Sequence, residues 1–408
     1  MRSDLEYRDH LIRSQPVLAA RTVPVAAAHG LVLAGDVRSV HPIPLFDNSA
    51  MDGYAVHAAD VAGASEAAPV TLPVVGDIPA GATAPTTVPR GSAARIMTGG
   101  PMPAGADAVV QVELTDAGTD RVQVHGASEP GRFVRRAGGD LAAGDVVARA
   151  GTRLTARALA SIVSAGHGQV LAHPLPRVAV IATGSELRGP GEACGFGQIP
   201  NSNSTLVAAC LAPVATTVDL GFVPDEASAL RELLDAVSTR DETGEPRFDA
   251  VVLSGGVSVG AYDVVKEVLA PEPDMWFGPV AMQPGKPQGS GTYRGVSVFA
   301  LPGNPVSVYV STQMLVRPAL RALAGAGAEL PHFADVPAGA DWATPPGRAQ
   351  YLPARIEHGT AVPATAGGSG SHLVGTLARA TGLVRVPAEV EAVRAGDVVQ
   401  YWQDGDQL

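Results

Sequence analysis

The feature that most constrains this chain is a place where an apolar, β-branched run breaks into glycine. In Asp249-Ala-Val-Val-Leu-Ser254-Gly-Gly-Val-Ser-Val-Gly260-Ala-Tyr-Asp263, residues 250–253 read as a strand, the glycines and serines as a loop, and 263–269 as a helix. Strand, glycine loop and helix start is how α/β proteins hold phosphate. Glycines let backbone N–H groups close round the anion, and a helix N-terminus adds partial positive charge. Taken alone, Gly255-Gly256 can equally be read as a tight strand-to-helix turn.

The pattern recurs, which is what gives it weight. From Arg177 onward strand and helix signals alternate. Residues 178–182 read as a strand that ends at Thr183-Gly184-Ser185-Glu186-Leu187. A strand over 276–280 leads into Gln283-Pro-Gly285-Lys286-Pro287, and one over 297–301 into Pro302-Gly303-Asn304-Pro305. Asn201-Ser-Asn-Ser204 supplies N-caps for a helix reaching 211, and Asp225 can cap a helix over 226–238. A further strand is expected over 216–220. Pro305 suits the first turn of a helix over 306–323. Alternating strands and helices make a parallel sheet covered on both faces. Ligands of such sheets bind beyond the carboxyl ends of the strands. Four loops that each follow a strand therefore share one rim.

The 408 residues suffice for two to four domains with cores of their own. No run approaches the roughly 18 apolar residues of a membrane span, and the charged start Met1-Arg-Ser-Asp-Leu-Glu lacks the apolar core of a signal peptide. Cys194 and Cys210 are not in a CxxC spacing and read as free thiols in a reducing cytosol, with no zinc pattern. A net charge of −11 argues against a nucleic-acid surface. An anionic ligand would need locally focused positive charge. Of 29 basic residues only Lys266 and Lys286 are lysines, and both lie in or beside the glycine loops. Lys286 reads as functional, whereas Lys266 reads equally well as an exposed helix residue.

Upstream, residues 4–13 read as a short amphipathic helix, and 23–40 as helix or strand pieces. His41-Pro-Ile-Pro44 is a stiff connector. Beyond it, Phe46-Asp47-Asn48-Ser49-Ala50-Met51-Asp52-Gly53-Tyr54-Ala55 reads as a turn-rich surface loop. Short Val-rich runs separated by Gly and Pro then favour a β domain of short strands to about residue 140. It carries Arg95-Ile-Met-Thr98-Gly-Gly100-Pro and Gly131-Arg132-Phe-Val-Arg135-Arg136-Ala-Gly138-Gly139-Asp140. The second is readable as a solvated hairpin or as a site element. Residues 155–164 are a helix, 174–176 open a new domain, and a small β domain follows from about 331, with Gly367-Gly-Ser369-Gly-Ser371-His372 as a loop in it.

Ser, Gly and Asn around a lysine favour a polyoxo anion. Lys286 supplies charge, while the glycine loop and the helix start after Asn304 supply N–H donors. Asp52, Asp140, Glu186, Asp225, Asp249 and Asp263 offer oxygens suited to Mg²⁺ bridging phosphates, with Asp249 the most structural in character because it opens a strand. No Ser/His/Asp constellation is apparent in the sequence. The expected chemistry is at a phosphate ester or oxyanion, driven by metal and electrostatics.

The ordered set FDNSAMDGYA, RIMTGGPMPAGADAVV, RRAGGD, TGSEL, SGGVSVGAYD, QPGKP and LPGNPVSV resembles the MoeA family, the molybdopterin molybdenumtransferases, over nearly the whole chain. The resemblance implies insertion of molybdate into adenylylated molybdopterin with release of AMP, aided by Mg²⁺, in a cytosolic homodimer serving other proteins of molybdenum cofactor biosynthesis. It implies a multidomain α/β fold. A MogA-like doubly wound domain (175–326) would join a mostly-β insertion domain (45–140), a small α/β linker domain (1–44 and 141–174) and a C-terminal β-barrel-like domain (327–408). By motif, it implies catalytic roles for Asp52, Asp140, Glu186, Asp225, Asp263 and Lys286, with Asp52, Asp140, Glu186 and Asp263 at the metal. Thr98, Thr183, Gly184, Ser185, Ser254, Gly255, Gly256, Ser258, Pro302, Asn304, Pro305 and Ser371 would bind the pterin substrate. Asp52 and Asp140 would reach the pocket from the β domain, across a dimer. Gln283, Asn201 and Gly139 depart from the family's usual Lys, Asp and Glu. A non-catalytic pterin-binding or scaffold protein, and a nucleotide enzyme using the α/β domain alone, are the alternatives.

Overall fold

The computed structural model describes all residues except 243, 245, 258–262, 328–329, 366–367 and 406–408. Its spine is a twelve-stranded sheet. The strands that build the site are β1 (Arg177–Thr183), β2 (Thr216–Val223), β3 (Ala250–Ser254), β4 (Met275–Gln283), β5 (Pro287–Tyr293) and β6 (Val296–Leu301). Their order is β2-β1-β3-β6-β5-β4, with the first four mutually parallel and β5 antiparallel to both neighbours. The expected all-parallel sheet is therefore mixed. Because β5 reverses direction, β4 again runs the same way as β6, and the loop after Gln283 returns to the rim shared by the other three loops.

Burial on both faces explains the continuous apolar runs. Val178 and Val180 of β1 enter one core, Ala179 and Ile181 the other. Helices α1 (Asp4–Ser14), α2 (Ala156–Ser164), α3 (Asn203–Leu211), α4 (Ala227–Val237), α5 (Val264–Leu269), α6 (Pro305–Ser311) and α7 (Arg317–Leu323) follow the chain. The first core takes residues from α1, α3, α6 and α7, the second from α4 and α5. α1 begins with a capping box: Ser3 Oγ accepts from Glu6 N–H while the Glu6 carboxylate accepts from Ser3 N–H. The helix expected over 306–323 is interrupted by a π turn at Thr312–Val316. Pro318 lacks an N–H and its ring would crowd the carbonyl of Met314, and the wider turn relieves this.

Residues 53–124 form a separate five-stranded sheet, Arg121–Val124, Val70–Ile78, Ala93–Ile96, Gly53–Val56 and Ala108–Gln111 in that order, with a core on each face. The segments 21–38 and 146–173 pack on each other round Leu33, Leu154 and Ile162. At the C-terminal end β7 (Ala334–Pro337), β8 (Ala349–Glu357), β9 (Gly382–Val386) and β10 (Val398–Gln403) continue the long sheet in the order β4-β8-β9-β10-β7. Met282 and Gln283 pair with Ala349 and Gln350 at the junction. The Gly339 N–H donates to the Ala361 carbonyl at 2.8 Å, which curls the far edge back toward β8 in barrel-like fashion. Among the described residues no helix is long and apolar enough to cross a membrane.

Candidate functional site

The rim of β1, β3, β4 and β6 opens into a cavity of about 760 Å³. Thr183, Gly184 and Glu186 line it from the first loop, Gly255, Gly256 and Asp263 from the second, Lys286 from the third, and Pro302, Asn304 and Pro305 from the fourth. Asp225 lines it after β2, and Ser371 arrives from the C-terminal domain. Four loops far apart in sequence thus converge because parallel topology puts equivalent strand ends side by side.

Backbone geometry makes the glycine loop obligatory. Gly255 has φ +103°, and a Cβ there would lie 2.6 Å from the Thr183 carbonyl oxygen and 2.7 Å from Thr183 Oγ1. Gly255→Ala is expected to cost about 2–3 kcal/mol through strain and clash together. A melting curve unshifted from wild type would refute that assignment. Gly303 approaches from the neighbouring loop at ordinary contact distance, its would-be Cβ 3.4 Å from Gly255 Cα. Thr183 and Asn203 line the cavity and are buried, and Thr183 Oγ1 and Asn203 Oδ1 have no hydrogen-bond partner among the described residues. Such groups cost about 1–3 kcal/mol unless something polar meets them, so they point to a hydrogen-bonding ligand. Ser254, also buried, closes β3 directly beneath the loop.

Other details correct the sequence reading. Asp225 does not cap α4, whose cap residue is Glu226 with no side-chain bond. Instead Asp225 and Ser185 exchange hydrogen bonds: Ser185 N–H to Asp225 Oδ2 and Asp225 N–H to Ser185 Oγ, each 3.1 Å. This locks the loop after β1 to the one after β2. The start of α6 is not an open set of donors. Pro305 has no N–H, and the Val306 N–H donates to the Ser371 carbonyl at 3.1 Å. Asn304 Nδ2 also donates to Ser371 Oγ at 3.0 Å, so the C-terminal domain seals this helix end. Asn201 is buried and serves the cap of α3: its Oδ1 accepts from Ser204 N–H at 3.3 Å and its Nδ2 donates to Ser204 Oγ at 2.9 Å. Gln283 turns its amide across the domain junction to Ser369 Oγ at 3.4 Å. Asp249 is structural, its Oδ2 accepting from Arg177 N–H at 2.7 Å. Lys266 is an exposed α5 residue that does not line the cavity.

Among the cavity residues that escaped the sequence reading are Asn203, Arg348 and His372. Arg348 lies one residue before β8 and lines the cavity half-buried, a second cation in addition to Lys286. Lys286 itself is exposed and makes no ion pair among the described residues. Glu186, Asp225 and Asp263 oppose them with negative charge. No three His, Cys, Asp or Glu among the described residues are grouped as a ready-made metal site.

Asp52, Thr98 and Asp140 do not line this cavity. The structure does bring Asp52 and Thr98 together: Asp52 Oδ1 accepts from both the backbone N–H and the hydroxyl of Thr98 at 2.7 Å. These bonds, the backbone one first, hold the Asp52 carboxyl below the ordinary aspartate range. Asp140 is exposed, its N–H donating to the Ile43 carbonyl at 2.9 Å. The Arg-rich hairpin is tied down through Asp47, which takes Arg136 at 2.6 Å and Ala137 N–H at 2.8 Å. Ser258 lies outside the described residues.

Family models match the chain from end to end: the MoeA N-terminal region (domain I and II) over residues 5–166, a probable molybdopterin binding domain over 179–322, and the MoeA C-terminal region (domain IV) over 335–403. The chain belongs to the MoeA family. It is 40% identical to molybdopterin molybdenumtransferase 2 of Mycobacterium tuberculosis, covering 98% of this chain and 99% of the relative. It is 36% identical to molybdenumtransferase 1 of the same organism, covering 92% and 93%. A MoeA crystal structure from Pyrococcus horikoshii superposes with a TM-score of 0.81 at 28% identity, covering 99% of this chain and all of that one. Another from that organism gives 0.79 at 30% identity and 98% coverage of each. The MoeA fold, with its molybdopterin-binding α/β domain, therefore accounts for the whole chain.

Proposed function

We propose that this MoeA-family chain is a molybdopterin molybdenumtransferase, which inserts molybdate into adenylylated molybdopterin with release of AMP. The observation that carries this reading is the convergence of all four strand-end loops and the C-terminal Ser371 loop on one cavity of about 760 Å³. Its volume suits a nucleotide-sized ligand, and its chemistry suits an anion. Lys286 and Arg348 attract the phosphates and molybdate. The glycine loops bring backbone close to the ligand, and Thr183 Oγ1 and Asn203 Oδ1 offer unused hydrogen-bonding capacity. Packing of the C-terminal loop over the rim limits water at the reacting phosphate.

Magnesium fits this donor set. A small hard cation commonly uses one or two carboxylates and takes its other oxygens from substrate phosphates and water, so no protein cage is needed. Glu186 and Asp263 would hold it, with Asp225 keeping the Glu186 loop in place. When bound it would neutralise charge on the phosphates of the leaving AMP. Asp52 and Asp140, remote from this cavity in one chain, are proposed to complete the site of a second copy in a homodimer, with Thr98 holding Asp52 ionised. The domain limits proposed are 1–44 with 141–174, 45–140, 175–326 and 327–408. A cytosolic setting, and handover of the product to other proteins of cofactor biosynthesis, belong to the same reading.

The test is AMP release from adenylylated molybdopterin by the purified protein with Mg²⁺, with and without molybdate. Molybdate-dependent release is expected. Tight binding without release would make the chain a pterin-binding or scaffold protein, and ATP turnover without molybdate would make it a nucleotide enzyme.

A further inference from the structure

The hairpin that presents Lys286 is held by a residue outside the cavity. Gln288, on β5, is 1% exposed. Burying a primary amide without partners costs about 1–3 kcal/mol. Here both N–H groups are used. Nε2 donates to the Gly285 carbonyl at 2.7 Å and to Ser311 Oγ at 2.8 Å, and Ser311 is fully buried at the end of α6. The Gly285 carbonyl belongs to the peptide group that ends at the Lys286 nitrogen. Fixing that oxygen fixes the peptide plane from which the lysine leaves the chain. The other side of the loop is fixed as well, since the Val280 N–H donates to the Lys286 carbonyl at 2.7 Å.

The surroundings leave no alternative route for the loop. Gly285 has φ +102°, and a Cβ there would lie 3.1 Å from Met282 Cε, 3.1 Å from Ser311 Oγ and 3.3 Å from Gln288 Nε2. Ser311 ends the same helix whose first residue, Pro305, lines the cavity. Gln288 thus ties the lysine hairpin to the helix on the opposite wall.

We infer that Gln288 is a positioning residue: through the Gly285 carbonyl and Ser311 it sets the base of Lys286, and so the strength with which the cavity holds its anion. The inference rests on the anion-binding role proposed for Lys286. A flexible lysine on a free loop would spend conformational entropy on binding. A clamped loop has already lost it in the fold.

A four-protein binding cycle tests this. The Kd for adenylylated molybdopterin is measured by calorimetry, without turnover, for wild type, Lys286→Ala, Gln288→Met and the double variant. Met keeps the volume and apolar fit but has no donors. Gln288→Met should weaken binding about tenfold, and the double variant should bind no worse than Lys286→Ala alone, since one interaction is lost by either route. Multiplied losses in the double variant, or an unchanged Kd for Gln288→Met beside a weakened Lys286→Ala, would overturn the inference while leaving the role of Lys286 intact. An unchanged Kd for Lys286→Ala would overturn both. Should Gln288→Met not fold, Ser311→Ala frees the amide's second anchor with the glutamine in place. It should weaken binding about two- to threefold, again without adding to Lys286→Ala. Additive behaviour there also overturns the inference.

Discussion

Asp263→Asn is expected to lower molybdate-dependent AMP release by about 10³-fold, the scale of losing one preorganised electrostatic group. Asp263 stands at the start of α5 and lines the cavity, yet its side chain makes no capping bond to that helix. Asparagine keeps the shape and removes the charge. The substitution therefore tests whether the carboxylate is a ligand for the cation at the phosphates or only part of the helix start. Full activity in the variant would remove Asp263 from the metal site. A matching fall in stability would instead make it a structural residue. The same measurement on Glu186 separates the two carboxylates, because Glu186 is exposed and its loop is held independently by the Ser185–Asp225 exchange.

Asp4→Ala should cost about 3–5 kcal/mol, the loss typical of stranding one partner of a buried ion pair. Asp4 is 4% exposed. Its carboxylate accepts from the Tyr351 hydroxyl at 2.6 Å and from Arg385 Nε at 2.9 Å, joining α1 to strands β8 and β9. Burial, and after it the negative charge of Asp4, hold the Tyr351 hydroxyl well above its usual range, so it stays a donor. Removing Asp4 leaves the half-buried Arg385 guanidinium with Gln400 Oε1 at 3.1 Å and the Tyr351 hydroxyl as its neighbours, and no carboxylate to balance its charge. Chemical denaturation checks the magnitude, and a loss under 1 kcal/mol would sink the assignment. Removing charge from both sides, with Asp4→Leu and Arg385→Met together, should be milder than Asp4→Ala. The consequence reaches the site. Ser371, Arg348 and His372 come to the cavity from the C-terminal domain, and α1 is one of the elements that holds that domain in place.

Most strands of the α/β domain and the loops that follow them were legible along the chain. Buried parallel strands must be apolar on both faces, so 178–182 and 250–254 announced themselves. Positive φ needs glycine, so the loop at Gly255-Gly256 did too. What the sequence could not announce was β5. Its Gln-Gly-Ser-Gly-Thr run has little strand propensity. Glycine is required there because a Cβ at Gly289 would lie 2.4 Å from Phe277 Cε1 on the paired strand. That is a cross-strand fact with no local signature. Arg348 was likewise invisible as a site residue, and His372 and Asn203, although close in sequence to Ser371 and Asn201, carry no signal of their own.

Which side chains meet was settled by how the chain folds. Folding gave Asp225 to Ser185 instead of to a helix end, and filled the start of α6 with the Ser371 carbonyl. It used the glutamine at 283 as a bridge to Ser369 and kept Asp52 and Asp140 off the cavity of their own chain. The physical reason is the range of the forces involved. Propensity, capping and backbone strain act within a few residues and can be read along a chain. A hydrogen bond or an ion pair depends on atoms placed within about 3 Å of each other, and in this protein the chain positions that satisfy it lie as far apart as Asp4 and Arg385.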